Sequence, residues 1–344
     1  MDYFPRLIEG GYEGLHFLSD QKTGLRALIG IHSTKLGPAL GGTRALTTYD
    51  SETAAVTDVI RLSRGMTYKA ALAGLKLGGG KSVIVLPKGN FDRGALFEAF
   101  GRAVESLKGR YICAEDSGTS PSDMDFILKH TRHVVGLQSK SGDPSPVTAY
   151  GVVRGMEAMA KHLWGKADLA GRKVTILGVG HVGYALAGEL HKRGAKMVVA
   201  DVNPQAVQRA VKEFGCSAVS DAELVTQEAD IFAPCALGGG INDFTLPLLR
   251  VKAVAGAANN QLAEPRHGEA LAKRGILYAP DYAINSGGLI NCALEVLGYD
   301  RKEALERAGK IFDTIDELLR RSKESGQRPE AVADTMVEER LAHG

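Results

Sequence analysis

Along the first 145 residues the spacing of apolar positions changes several times. Ala27 to His32 (ALIGIH) is a short apolar run that predicts a strand. SETAAVTDVIRLSRGMTYKAALAG, from Ser51, keeps a helical period over several turns. A strand is predicted after Lys81 (SVIV), then a helix GALFEAFGRAVESL, a strand YICAED and a short helix SPSDMDFILKH. Together these elements describe one α/β unit. In SKSGDPSPVTAYG, residues 139 to 151, prolines, glycines and serines interrupt both periods, which predicts a hinge. Beyond the helix VVRGMEAMAKHLWG, the strand signals KVTILGVG, KMVVADV, DIFAPC and AVAGAAN alternate with helices, the pattern of a doubly wound parallel sheet. After Gly298 the pattern is wholly helical.

The expected organisation is therefore α/β with two domains, which suits a chain of 344 residues, longer than one core usually supports. Residues 1–140 form the first and 145–324 the second. The segment from Asp300 is expected to lead the chain back, and residues 325–344 to rejoin the first domain.

Composition removes several function classes. With 44% hydrophobic and 24% charged residues, the chain is ordinary for a globular protein. A net charge of +2 without a clustered Lys/Arg stripe gives no footprint for nucleic acid. No apolar stretch approaches the roughly 20 residues of a membrane span, and the N-terminus MDYFPRLIEGG lacks a basic segment followed by an apolar one. Cys113, Cys216, Cys235 and Cys292 are scattered and none lies in a C-x-x-C pair, so a reduced cytoplasm is expected. His130 and His133 form an H-x-x-H with no further ligand cluster, and we assign no metal.

Two glycine-rich stretches remain. KLGGGKS (76 to 82) looks like the end of a phosphate-binding loop, but Leu75 stands where that motif needs glycine, and a β-rich run follows where it needs a helix. KVTILGVGHVGYALAGELHKRG places Gly178, Gly180 and Gly183 in G-x-G-x-x-G order directly after a strand and at the opening of a helix, with Val179, His181 and Val182 between them. There Gly178 allows the tight turn, Gly180 lets a pyrophosphate approach, and Gly183 permits close helix–strand packing. Taken alone, His181 reads as a solvated loop residue. Asp201 ends the next strand about 20 residues on, where a carboxylate can accept from both ribose hydroxyls and repel a 2'-phosphate. This favours NAD over NADP.

A nicotinamide enzyme must also hold its substrate and move protons. Lys69 ends a helix, Lys81 opens a strand and Asp116 follows YICAE. An ammonium at 69 can pair with a carboxylate, and one at 81, desolvated beside another cation, would lose its proton near neutral pH. Glycines 78 to 80 would let substrate and nicotinamide come close to the backbone beside Lys81.

At this point the chain resembles the Glu/Leu/Phe/Val amino-acid dehydrogenases. The resemblance runs through GPALGGTR (37 to 44), RGMTYKAALAGLKLGGGK (64 to 81), AEDSGT (114 to 119), GDPSPVTAYGV (142 to 152), GVGHVGYA (178 to 185), APCALGG (233 to 239), AGAANNQL (255 to 262) and LYAPDYAINSGGLIN (277 to 291). It implies reversible oxidative deamination of an L-amino acid to a 2-oxo acid and ammonium. Lys69 would bind the substrate carboxylate, Lys81 would be the general base for the attacking water, and Asp116 would move a proton to and from the substrate nitrogen. Gly41 and Asn260 are implied near the substrate; Thr148, Ala236 and Asn260 are implied near the cofactor. The positions matching the side-chain pocket are Leu40, Ala114, Leu289 and Cys292.

A glutamate substrate would leave its second carboxylate desolvated against these groups, a cost of several kcal/mol. Ala114 and Leu289 narrow the pocket towards leucine, isoleucine and valine, with phenylalanine as the alternative. The chain carries Ser286 where alanine is frequent in the family and Cys292 where valine is frequent. A 2-hydroxy-acid dehydrogenase, the rival reading, would hold its substrate with arginine and use histidine as acid-base group. The resemblance also implies a homo-oligomer, dimer or octamer, assembled through the first domain.

Overall fold

The computed structural model describes residues 2–137, 139–296 and 298–343. The chain forms two compact units, one of residues 1–142, 292–299 and 339–344, the other of residues 143–291 and 300–338.

The first unit is built on a five-stranded sheet of β1 (Gly14–Asp20), β2 (Leu25–Ser33), β3 (Ala39–Leu46), β4 (Gly78–Val85) and β5 (Tyr111–Glu115) in the order β1-β2-β4-β3-β5. β1 and β2, and β2 and β4, are antiparallel, whereas β3 runs parallel to both β4 and β5. β1 and β3 escape the periodicity reading, β3 because ALGGTRAL carries two glycines in place of an apolar alternation. The predicted helix from Ser51 is Glu52–Leu72, capped by the Ser51 hydroxyl, which accepts from the Ala54 amide at 3.1 Å. Ile29, Ile31, Phe97, Phe100 and Tyr111, all fully buried, fill one side of the sheet.

Glycines 78 to 80 form neither a loop nor a helix start. They are the first three residues of β4, paired with both β2 and β3. A Cβ on Gly79 would overlap the Thr67 backbone, one on Gly41 would overlap the Gly80 carbonyl, and one on Gly80 would lie 2.8 Å from the Tyr111 ring. Their lack of side chains therefore lets the Glu52–Leu72 helix and β5 press onto β4, a packing demand that the sequence does not show.

The second unit contains β6 (Lys173–Leu177), β7 (Lys196–Ala200), β8 (Ser217–Ala218), β9 (Ile231–Pro234), β10 (Ala253–Val254) and β11 (Leu277–Tyr278). Their order is β11-β10-β9-β6-β7-β8 and all neighbours are parallel. This is the dinucleotide-binding arrangement, with its switch point between β6 and β9.

Two sequence expectations change. Helix Ser145–Trp164 begins inside the predicted hinge, because proline at the first helical turn forfeits no hydrogen bond. Residues 300–338 stay with the second unit, where Gly151 and Gly155 of that helix admit Ile311, Ile284 and Ile315, and Asp316 takes a hydrogen bond from Lys161 at 2.8 Å. Of the tail assigned to the first domain, 339–344 belongs to it, anchored by a hydrogen bond from Arg340 to the Ala71 carbonyl. Residues 292–299 join the same unit, where the buried Glu295 accepts from the Ser141 amide at 3.1 Å. Among the described residues no helix is long and apolar enough to cross a membrane.

Candidate active site

Lys81 leaves β4 with 6% of its surface exposed, and its Nζ donates to Asp116 Oδ2. The register puts Gly42 of β3 opposite Ala114 of β5, one residue short of the turn that carries Asp116. That turn is pinned: Asp116 Oδ1 accepts from the Ser117 amide at 2.7 Å, and the Asp116 amide donates to Thr119 Oγ1 at 2.9 Å. Gly42 supplies the space. A Cβ there would lie 2.8 Å from Asp116 Cβ and 3.0 Å from Lys81 Nζ.

Burial pushes the Lys81 ammonium below its usual range; Asp116 opposes that shift and the Arg44 guanidinium adds to it. For Asp116 burial acts to raise the carboxyl, and the charge and hydrogen bond of Lys81, with the Ser117 amide and the Arg44 charge, more than offset it, so the group lies below the carboxylate range. The two titrate as one coupled pair.

The cation beside Lys81 is Arg44 of β3. Its Nε lies 3.8 Å from Asp116 Oδ2, and its Nη1 donates to Asp58 Oδ2 at 2.8 Å. Tyr49 donates to the same Asp58 oxygen at 2.7 Å. Neither Arg44 nor Gly42 was singled out from the sequence, although both sit in the GPALGGTR stretch. Asp58 lies 14 residues beyond Arg44 and no spacing rule joins them.

Lys69 is half-buried in the last turn of the Glu52–Leu72 helix. Thr67 fixes that turn, sharing a 2.8 Å hydrogen bond with Nδ1 of the buried His32. Leu40 and Gly41 lie opposite Ile112 and Cys113 in the sheet, and Ala114 follows. The half-buried Cys292 belongs to this unit, where a Cβ on Gly136 would lie 3.8 Å from both its Sγ and the Glu115 amide nitrogen. Burial pushes its thiol up to about 12, so it is a neutral, weakly polar wall.

In the second unit the glycine loop gathers as expected. Gly178 has φ +94° and lies so close to Ala236 that a Cβ would come within 2.8 Å of that amide. A Cβ on Gly183 would overlap the Gly178 carbonyl. At Gly180, by contrast, no atom of the described residues beyond its chain neighbours lies within 4 Å of where a Cβ would stand, so packing does not demand glycine there. His181 opens the twelve-residue helix His181–Lys192, whose first amides, with Val182 among them, suit an anion.

Asp201 Oδ2 accepts from the Val179 amide at 2.7 Å and Oδ1 from the Asn203 amide at 2.8 Å. Each oxygen keeps acceptor capacity for a ribose hydroxyl. These residues fit a dinucleotide.

Asn260 is in the left-handed region (φ 51°), and its carbonyl accepts from the Gly239 amide at 2.7 Å. Thr148 Oγ1 donates to the Pro144 carbonyl at 3.0 Å and abuts Gly288, beside Leu289. Ser286 spends its hydroxyl on the Ala283 carbonyl at 3.0 Å, so this departure from the family pattern is a local structural bond.

Among the described residues no three His, Cys, Asp or Glu side chains gather as a metal site. His130 and His133 face different glutamates, Glu98 and Glu105.

A buried lysine–carboxylate pair and a dinucleotide-binding unit in one chain define a nicotinamide-dependent dehydrogenase. Residues 15–133 match the family model described as Glu/Leu/Phe/Val dehydrogenase, dimerisation domain, and residues 201–331 match Glutamate/Leucine/Phenylalanine/Valine dehydrogenase. Residues 148–237 also match the NAD binding domain of D-isomer specific 2-hydroxyacid dehydrogenases, a likeness confined to the nucleotide unit. The chain is 51% identical to leucine dehydrogenase of Bacillus cereus over 99% of its own length and 94% of that protein. It is 47% identical to valine dehydrogenase of Streptomyces virginiae over 97% of its length and 95% of that protein. The crystal structure of L-tryptophan dehydrogenase from Nostoc punctiforme superposes with a TM-score of 0.90 at 41% identity, covering 99% of this chain and 98% of that one. The chain belongs to the Glu/Leu/Phe/Val dehydrogenase family and is an amino-acid dehydrogenase that uses NAD.

Proposed function

We propose that the protein catalyses reversible oxidative deamination of branched-chain L-amino acids, leucine, isoleucine and valine, to 2-oxo acids and ammonium. The observation that carries this reading is the buried Lys81–Asp116 pair, set in a sheet whose neighbouring Leu40 and Ala114 are buried and apolar. NAD, when bound, takes the hydride from the substrate α-carbon. Lys69 pairs with the substrate carboxylate and fixes its orientation. Asp116 accepts a proton from the substrate nitrogen. Its neutralisation removes the charge that favours the Lys81 ammonium, so Lys81 becomes free to take a proton from the water attacking the imino carbon. The departing nitrogen then recovers a proton from Asp116.

In the nucleotide unit, Gly178, Gly180 and Gly183 with the His181–Lys192 N-terminus hold the pyrophosphate. Asp201 holds the ribose and disfavours a 2'-phosphate, while Thr148, Ala236 and Asn260 complete the site. Identity to leucine and valine dehydrogenases supports the aliphatic substrate. Likeness to L-tryptophan dehydrogenase supports an aromatic one as a second reading, phenylalanine included. A homo-oligomer, dimer or octamer, is supported by the dimerisation-domain match and by exposed Phe4, Ile8 and Phe17 in the first unit. Four free cysteines support a cytoplasmic location.

The test is a panel of leucine, isoleucine, valine, phenylalanine, tryptophan, glutamate and 2-hydroxyisocaproate with NAD and NADP, followed at the NADH absorbance, beside Lys81→Ala. Leucine, isoleucine and valine should lead, and Lys81→Ala should abolish turnover while still binding NADH. A preference for glutamate or the hydroxy acid, or normal turnover by the variant, would overturn the reading.

A further inference from the structure

Arg44 has no part in the proton path above, yet its geometry is that of a built element of the site. One end is fixed: Nη1 donates to Asp58 Oδ2, which also receives the Tyr49 hydroxyl, while Arg61 reaches Asp58 Oδ1 at 3.2 Å. The other end is not. Arg44 Nε is buried and has no hydrogen-bond partner among the described residues, and Asp116 Oδ2, the oxygen that receives Lys81, lies 3.8 Å away. A buried guanidinium N–H without an acceptor is costly, so an acceptor standing just beyond bonding distance is a partner for another stage of the cycle. Asp116 Oδ2 thus stands between two cations, bonded to Lys81 and just beyond bonding distance of Arg44.

We propose that Arg44 is a positioning residue for the Lys81–Asp116 pair: held by Asp58 and Tyr49, its fixed positive charge keeps Lys81 a base and takes over Asp116 Oδ2 when the Lys81 amine turns to its water. This rests on the reading of Lys81 and Asp116 as the proton-moving groups. The charge argument holds against the other ionisable groups around Lys81. Asp116 and Asp58 favour its ammonium and Arg44 opposes it, after burial, which opposes it most. From β5, burial holds Tyr111 well above its usual range and Cys113 up at about 12, and both stay neutral. Burial also holds His32 of β2 down at about 4. Tyr49, on the loop after β3, is pushed up by burial and by Asp58 and stays neutral. Arg61 and Lys69 share the Glu52–Leu72 helix.

The sign follows. Lys81 acts deprotonated, so kcat/KM falls on the acid side of its titration. Without the Arg44 charge the ammonium is favoured, and the acid limb should move up by about half a unit to one unit. Arg44→Gln should show this shift together with a loss in kcat, Arg44→Lys should keep the wild-type midpoint, and Asp58→Asn should move the limb down. KM for NAD should hold in all three. Limbs that stay in place while activity falls would show a merely structural residue and overturn the proposal. If Arg44→Gln does not fold, Arg44→Lys and Asp58→Asn carry the same test, the latter with the opposite sign. Turnover by Lys81→Ala would instead remove the reading beneath, whatever Arg44 does.

Discussion

Gly42→Ala adds one methyl group between the two members of the buried ion pair. The new Cβ would stand 2.8 Å from Asp116 Cβ, 3.0 Å from Lys81 Nζ and 3.0 Å from the Glu115 carbonyl. Restoring ordinary contact, about 3.4 Å, moves Asp116 by about 0.6 Å and Nζ by about 0.4 Å. Nζ ends a flexible chain and can yield, so the loss in stability should stay near the low end of overpacking, about 1 kcal/mol. Catalysis has no such latitude, since a displacement of about 1 Å costs on the order of a hundredfold in rate. A shift of half that size should lower kcat for leucine about tenfold, or about 1.4 kcal/mol. The assay is initial rates at saturating NAD with leucine varied, together with NADH binding by fluorescence and a thermal midpoint. NADH affinity should hold, because Gly42 belongs to the first unit. A folded variant with kcat within twofold of wild type would refute the reasoning, since the pair would then tolerate the displacement.

The nucleotide unit offers the converse glycine. Gly180→Ala meets no atom of the described residues beyond its chain neighbours, so its thermal midpoint should match wild type while NADH affinity falls at least tenfold; unchanged affinity would show that no ligand approaches there. Asp201→Ser should weaken NAD more than NADP in a kcat/KM comparison, and an unchanged ratio would assign ribose recognition to another group. His32 is held down at about 4 by burial first and the Arg64 charge second. The unfolded state therefore binds its proton first, and stability is lost as pH falls from about 6.5 towards 4, by up to about 3 kcal/mol. Urea unfolding at both ends of that window should show this loss in the wild type and less of it in His32→Asn; equal losses would clear His32 of the effect.

What the sequence determined by itself is what lies close along the chain or is carried whole by a family pattern. The glycine loop, its helix and Asp201 are legible because one strand–turn–helix–strand unit has a fixed covalent span, and Gly178 and Gly183 are demanded by contacts within it. Lys81 and Asp116, 35 residues apart, stand out as charged groups beside predicted strands, and the resemblance supplies their roles. That they form an ion pair, and that Arg44 is the neighbouring cation, only tertiary structure decided. The reason is register: the parallel pairing of β3 with both β4 and β5 brings Gly42, Arg44 and Lys81 from the middle of their strands beside Asp116 at the end of β5, and hydrogen-bonded alignment between distant strands leaves no trace in local composition. The same holds for glycines 78 to 80, whose neighbours are Ser33, Thr67 and Tyr111, and for Ile311 and Ile315, whose helical period is plain in sequence while the surface they bury against is not.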